Sequence, residues 1–145
     1  CDEGYSYNSQ FGGPTTTKIE CQSNGKLTDL DNCKPVECGL IPNHKHASWT
    51  KVIKSEGKDD TPAIFVFGES PVITCDAGYS LDQTTSDLMK SYKLSCLSNG
   101  EWEPTRECKP VLCGPPADIA NTKVSDASRV FLESSTYKLD EGYTL

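Results

Sequence analysis

Eight cysteines, two histidines and several paired carboxylates are the residues of this chain able to form bonds, hold metal or move protons. The histidines, His44 and His46, lie two positions apart, a spacing that would place both on one face of a strand. No other histidine exists to complete a dispersed catalytic or metal site. Gly68-Glu69-Ser70 holds part of the strained turn that presents a nucleophilic serine, but Val72 stands where a second glycine is needed. Asp59-Asp60 and Glu101-x-Glu103 sit in hydrophilic runs, where carboxylates serve solubility. Cys33/Cys38 and Cys108/Cys113 are C-x4-C pairs, but a structural zinc site needs two such pairs to converge. Here a proline-containing segment splits each pair. These residues predict no enzyme, no catalytic residue, no metal and no cofactor.

The cysteines speak instead through their period. Cys1, Cys21 and Cys33 recur at a nearly constant offset as Cys75, Cys96 and Cys108, and Cys38 recurs at the same offset as Cys113. A fixed period of this length marks an array of one repeated unit. Residues 38–108 hold one whole copy, 1–33 the C-terminal part of another, and 113–145 the N-terminal part of a third. Residues 34–37 and 109–112 link them. The chain begins at a half-cystine and stops inside a copy, so it reads as a fragment.

A unit of this size with 35% hydrophobic residues buries little core by itself. Stapling by disulfides supplies the restraint, which places the chain in an oxidising compartment, extracellular or lumenal. No apolar run approaches the ~20 residues that span a bilayer, so no membrane insertion is expected, and any targeting signal lies upstream. The net charge of −7 is spread over the copies, without a basic arm, which disfavours nucleic acid and anionic lipid. One stretch departs from this. Lys45, Lys51, Lys54 and Lys58, with His44 and His46, form a basic run from Asn43 to Lys58. It reads as a solvated loop or as a contact for a sulfated glycan.

The elements that position these residues read as short strands. Thr15–Cys21 alternates as a half-buried strand, and Asn24-Gly25 predicts a type I′ hairpin turn, as does Asn99-Gly100. Ile64-Phe65-Val66-Phe67 is a continuous apolar run, predicting a strand covered on both faces. Val72–Cys75 forms another, turned at Ala77-Gly78-Tyr79, and Tyr92, Leu94 and Cys96 alternate in a third. Asp87–Lys90 makes one turn of helix at most. The fold class is all-β.

Four half-cystines, a Gly-Tyr after the second, Asn-Gly and Trp between the third and fourth, and the linker Cys-Lys-Pro-Val-x-Cys-Gly together resemble the sushi module. That family is also called the complement control protein domain or short consensus repeat. Spacing alone leaves three connectivities open for four cysteines. The resemblance implies first-to-third and second-to-fourth pairing, hence Cys38–Cys96, Cys75–Cys108 and, in the first copy, Cys1–Cys33. It also implies small, elongated, disulfide-stapled β-sandwich modules strung in tandem, with Trp102, Tyr79, Gly78 and Leu27 as structural core. Leu27 fills the position of Trp102 in the first copy.

Two departures stand out. The interval from Cys38 to Cys75 is longer than its counterpart from Cys113 to Leu139, and the excess falls in the lysine-rich loop. Aligned without gaps, Phe131–Leu145 matches Phe67–Leu81, and Leu139 falls where Cys75 stands. A leucine fills that site but cannot staple it.

The resemblance implies a non-enzymatic extracellular array that binds protein or glycan partners, in recognition, adhesion or complement regulation. The alternatives are a structural spacer or fibre repeat, and modules appended to an enzyme lying outside this sequence. An exposed apolar or lysine-rich patch within 43–67 would favour recognition. Cys21 and Cys113 are left without partners of their own copy. Truncation accounts for them, or else Cys113 of one chain bonds Cys21 of another copy and the string propagates as a fibre.

Overall fold

A computed structural model describes residues 1–50, 64–125 and 127–144. Among these the secondary structure is short β-strands and a single 3-10 turn at Asp87–Met89, with no α-helix. The chain divides into two compact units. One comprises Cys1–Asn43, Trp49–Ile73 and Lys93–Thr105; the other comprises His44–Ser48, Thr74–Tyr92 and Arg106–Leu145. Each gathers the residues on both sides of one Lys-Pro-Val segment.

In the first unit β1 (Tyr5–Ser6) pairs antiparallel with β2 (Lys34–Pro35), and β3 (Glu37–Gly39) with β5 (Phe65–Val66). In the second, β7 (Tyr79–Ser80) pairs with β9 (Lys109–Pro110), and β10 (Leu112–Gly114) with β12 (Arg129–Val130). β11 (Thr122–Lys123) pairs with β13 (Lys138–Leu139). The remaining sheet has the order β4 (Ala47–Thr50), β6 (Val72–Cys75), β8 (Ser91–Lys93). The β3–β5 and β10–β12 registers both break at a glycine of positive φ, Gly39 at 75° and Gly114 at 84°. An extra residue in a ladder needs such a conformation, and glycine adopts it without a Cβ clash.

Three disulfides close the chain: Cys1–Cys33, Cys38–Cys96 and Cys75–Cys108, with Cα atoms 5.5, 5.8 and 5.6 Å apart. Cys21 and Cys113 carry free, exposed thiols. Cys96 is buried with Val36, Phe65, Ile73 and Leu94 in the first unit, and Cys75 and Cys108 are buried in the second. These half-cystines are thus part of the cores they staple. Two buried serines are satisfied close by in the chain. The Ser6 hydroxyl donates to Asn8 and the Ser80 hydroxyl to Asp82, each two residues downstream. The Thr84 backbone N–H, then its hydroxyl, hold the Asp82 carboxyl below its ordinary pKa.

Several sequence expectations change here. Thr15–Cys21 forms no strand and lies exposed, and only Cys21 bridges to Leu27. Alternation marks a strand with a buried face, and this stretch has no second ladder to cover one. Leu27 is 64% exposed and belongs to no core. Trp102 is covered by Phe65 and the Leu40 backbone, from the part of the copy between its first two half-cystines, and residues 1–33 contain no counterpart of that part. The apolar run 64–67 yields only a two-residue strand in which Phe65 is buried while Ile64 is exposed, so cover is one-sided.

The hairpin turns also differ. Gly25 and Gly100 have positive φ, but Asn24 and Asn99 do not. Gly25 N–H bonds Gln22 C=O and Gly100 N–H bonds Leu97 C=O, a turn followed by a left-handed glycine rather than type I′. The asparagine side chains explain the choice, because each Oδ1 accepts the N–H two residues on, at Lys26 and Glu101.

The turns at Asp2–Tyr5, Asp76–Tyr79 and Asp140–Tyr143 share one hydrogen bond, from the tyrosine N–H to the aspartate C=O, at 3.1, 3.0 and 3.2 Å. Asp76 N–H bonds His46 C=O and Asp140 N–H bonds Asn121 C=O, with His46 and Asn121 both at positive φ. Leu139 therefore occupies the same backbone setting as Cys75.

Leu132 is the costly exception in the third segment. Its φ of 74° matches Gly68 at 87°, in turns that both close through a glutamate one residue on. A leucine there is strained by ~1 kcal/mol or more, and at 80% exposure it gains nothing from packing. Leu132→Gly should slow hydrogen exchange at the Glu133 amide, which closes this turn onto Val130, by about threefold to fivefold, corresponding to ~1 kcal/mol less glycine's extra chain entropy. Faster exchange would mean that the leucine stabilises the turn.

Candidate recognition surface

Phe65 is buried beneath two tryptophans in the first unit. Its ring meets Trp49 at 5.7 Å and Trp102 at 5.4 Å, both edge to face. That arrangement suits the ring quadrupoles and fixes the tryptophan planes. Trp102 is half-buried and donates its indole N–H to Leu40 C=O at 3.0 Å, so its polar tip is satisfied. Trp49 itself remains 44% exposed, and Leu40 and Ile64, which follow β3 and precede β5 in the chain, are 58% and 52% exposed. Rigid aromatics half-open to solvent over a buried base are the anatomy of a contact surface rather than of a core.

The strands explain the placement. β4 carries Trp49, β5 carries Phe65, and the carbonyl that accepts from Trp102 follows β3 directly. The hairpin that delivers Trp102 is bridged at Cys96↔Trp102, and Cys96 is bonded to Cys38, just ahead of Leu40 in the chain.

The histidines diverge. Neither lies in a strand, since β4 starts at Ala47, and His46 has a φ of 55°. His46 stacks on Tyr79 at 4.1 Å with rings 7° from parallel, whereas His44 approaches Tyr92 at 6.4 Å. The expected shared strand face is absent because the backbone turns between them. Lys45 is exposed between the two. Lys51, Lys54 and Lys58 lie outside the described residues, as do Asp59 and Asp60. Among the described residues no group of His, Cys, Asp and Glu could hold a metal ion. Glu69, next to Ser70, accepts the Val66 N–H, and Glu103 accepts that of Ser95. These carboxylates serve the backbone.

Sequence reasoning missed what the Lys-Pro-Val segments do. Lys34–Pro35 and Lys109–Pro110 are strands, and Val36 is 3% exposed. Gly78 and Tyr79 lie at the second of these segments, where Val111 N–H bonds Gly78 C=O. A cleft of about 350 Å³ opens there, lined by Gly78, Tyr79, Val111, Cys113 and Phe131 among others. A second, of about 330 Å³, lies against Gly4, Tyr5, Phe11 and Val36. A short proline-bearing run looks like a linker because nothing local in it shows which strand it will pair with.

No family model matches the chain. It is 29% identical, over 88% of its length, to sushi, von Willebrand factor type A, EGF and pentraxin domain-containing protein 1 of Rattus norvegicus, of which it spans 3%. Complement C1s subcomponent of the same species is 37% identical over 71% of the chain, which spans 14% of that protein. Complement decay-accelerating factor of Homo sapiens is 28% identical over 88% of the chain, which spans 31% of it. The relatives are thus sushi-containing and complement proteins, matched over small shares of their lengths. Among the described residues no helix is long and apolar enough to cross a membrane.

Proposed function

We propose that this chain is a stretch of a tandem array of sushi-type modules outside the cell, and that it recognises a protein partner through the patch formed by Leu40, Trp49 and Ile64. The patch carries the reading. Trp49 is exposed on a buried Phe65 base that also meets Trp102, whose indole is held by a hydrogen bond, and Leu40 and Ile64 are exposed on the adjoining chain. A spacer needs stiffness but no such surface. The similarity to complement proteins supports a partner among extracellular proteins, and three disulfides fit an oxidising compartment. The modules act by binding, without catalysis. A sulfated glycan on the lysine-rich stretch would be an additional contact.

Trp49→Ala should cost the complex ~2 kcal/mol or more, the scale of a central aromatic anchor, which is about a thirtyfold loss of affinity. The immobilised chain is exposed to blood plasma and the retained protein quantified for wild type and variant. Circular dichroism of the variant should match the wild type, because the Trp49 side chain is not part of the buried core. No retained protein, or equal retention by Trp49→Ala, would reject this surface as the site.

A further inference from the structure

We infer that the two Lys-Pro-Val segments are not hinges but two copies of one closed lock, each fixing the segment before it to the segment after it. The inference rests on the tandem reading above, and each lock lies wholly within one compact unit. In the first, Val36 N–H bonds Gly4 C=O at 2.8 Å, and Phe67 N–H bonds Val36 C=O at 2.8 Å. In the second, Val111 N–H bonds Gly78 C=O at 2.9 Å, and Phe131 N–H bonds Val111 C=O at 2.8 Å. The rings close each lock: Tyr5 meets Phe67 at 5.9 Å and 89°, and Tyr79 meets Phe131 at 5.7 Å and 77°. The residue after each valine bonds a left-handed residue of the preceding segment, Glu37 to Ser9 and Leu112 to Gln83, both at 2.8 Å.

The glycines show how close the fit is. A Cβ on Gly4 would fall within the Phe67 ring, and one on Gly78 within the Phe131 ring, while φ values of 79° and 83° disfavour any side chain. The valine therefore holds the backbone of the Gly-Tyr turn and the phenylalanine covers its bare face. A hinge would leave its backbone polar groups to water. Here those groups are paired across the joint, and an aromatic ring fills the gap.

The locks close alike although the chain between valine and phenylalanine differs in length. The interval from Val36 to Phe67 is clearly longer than that from Val111 to Phe131. The extra residues of the first interval therefore leave the joint geometry unchanged. The lysine-rich stretch is free to vary as a surface without altering how one segment is set on the next.

The test is residual dipolar couplings on the whole chain. In wild type, amides of 5–36 and of 64–73 should fit one alignment tensor, and amides of 78–92 and of 120–140 should likewise fit a single tensor. Phe67→Ala should split the first pair into two tensors and leave the second pair unchanged; Phe131→Ala should do the converse. Two tensors across either joint in wild type would overturn the lock, as would a variant that leaves its own joint intact. So would Phe67→Ala melting residues 64–105 outright, since Phe67 would then be a core residue. Failure of the tandem reading looks different: either variant alone would disrupt both joints in one transition.

Discussion

Replacing Cys38 and Cys96 together by serine should cost ~4 kcal/mol in urea denaturation, which would leave the proposed module 38–108 barely stable. The two half-cystines stand 58 residues apart, the longest disulfide loop of the three, and their bond restrains the unfolded chain accordingly. The native core cannot absorb that loss. Among the described residues its buried apolar side chains are Val36, Phe65, Pro71, Ile73 and Leu94, with Cys75, Cys96 and Cys108. A domain this small has ~5 kcal/mol in total. The Cys75–Cys108 bridge spans only 33 residues, so the entropic term is smaller by about 0.5 kcal/mol. Both of its half-cystines are buried, however, so the serines would also leave polar groups in the core. Cys38, by contrast, is only half-buried, which makes the first pair the cleaner test of chain entropy. An unchanged urea midpoint for the double-serine chain would show that packing alone holds the fold.

The cysteine period and the Asn-Gly hairpins are legible in the sequence because each depends on residues close together or on a spacing that repeats. Even there the turn type escapes the pattern, since the asparagine side chain bonds its own backbone and spares that residue a positive φ. The Phe67 contact with Gly4 is illegible for the opposite reason. The partners lie far apart in the sequence, and a glycine gives no hint of what covers it. The same holds for Val36, whose burial depends on the Gly4 carbonyl and on Gly100 beside its side chain. Alternation at Thr15–Cys21 and the apolar run at Ile64–Phe67 state which faces are greasy. They do not state whether a second ladder exists to cover them. The candidate surface is half legible. An exposed apolar or lysine-rich patch within 43–67 is the expected mark of recognition; Trp49 and Ile64 are exposed in that stretch, and Leu40, whose carbonyl accepts from Trp102, lies before it.

Phe65→Ala should be the most damaging single substitution outside the disulfides, at about 3–5 kcal/mol. The ring is 1% exposed and stands between two tryptophans at 5.7 and 5.4 Å, so its removal leaves a cavity with rigid walls. Collapse is hindered on one side by the Cys38–Cys96 bridge and on the other by the pairing of β5 with β3. Phe65→Leu keeps most of the volume and should cost under about 1.5 kcal/mol, separating the cavity from the loss of aromatic contact. The chain has two tryptophans, Trp49 and Trp102, and both touch this ring, so intrinsic fluorescence reads the site directly. In Phe65→Leu the emission should shift to the red while the fold is retained, because each indole loses its edge contact and gains water. Partner binding should weaken with it, since Trp49 would no longer be held in one plane. Unchanged emission with unchanged binding would mean that something other than Phe65 positions the tryptophans, and would overturn its role as their base.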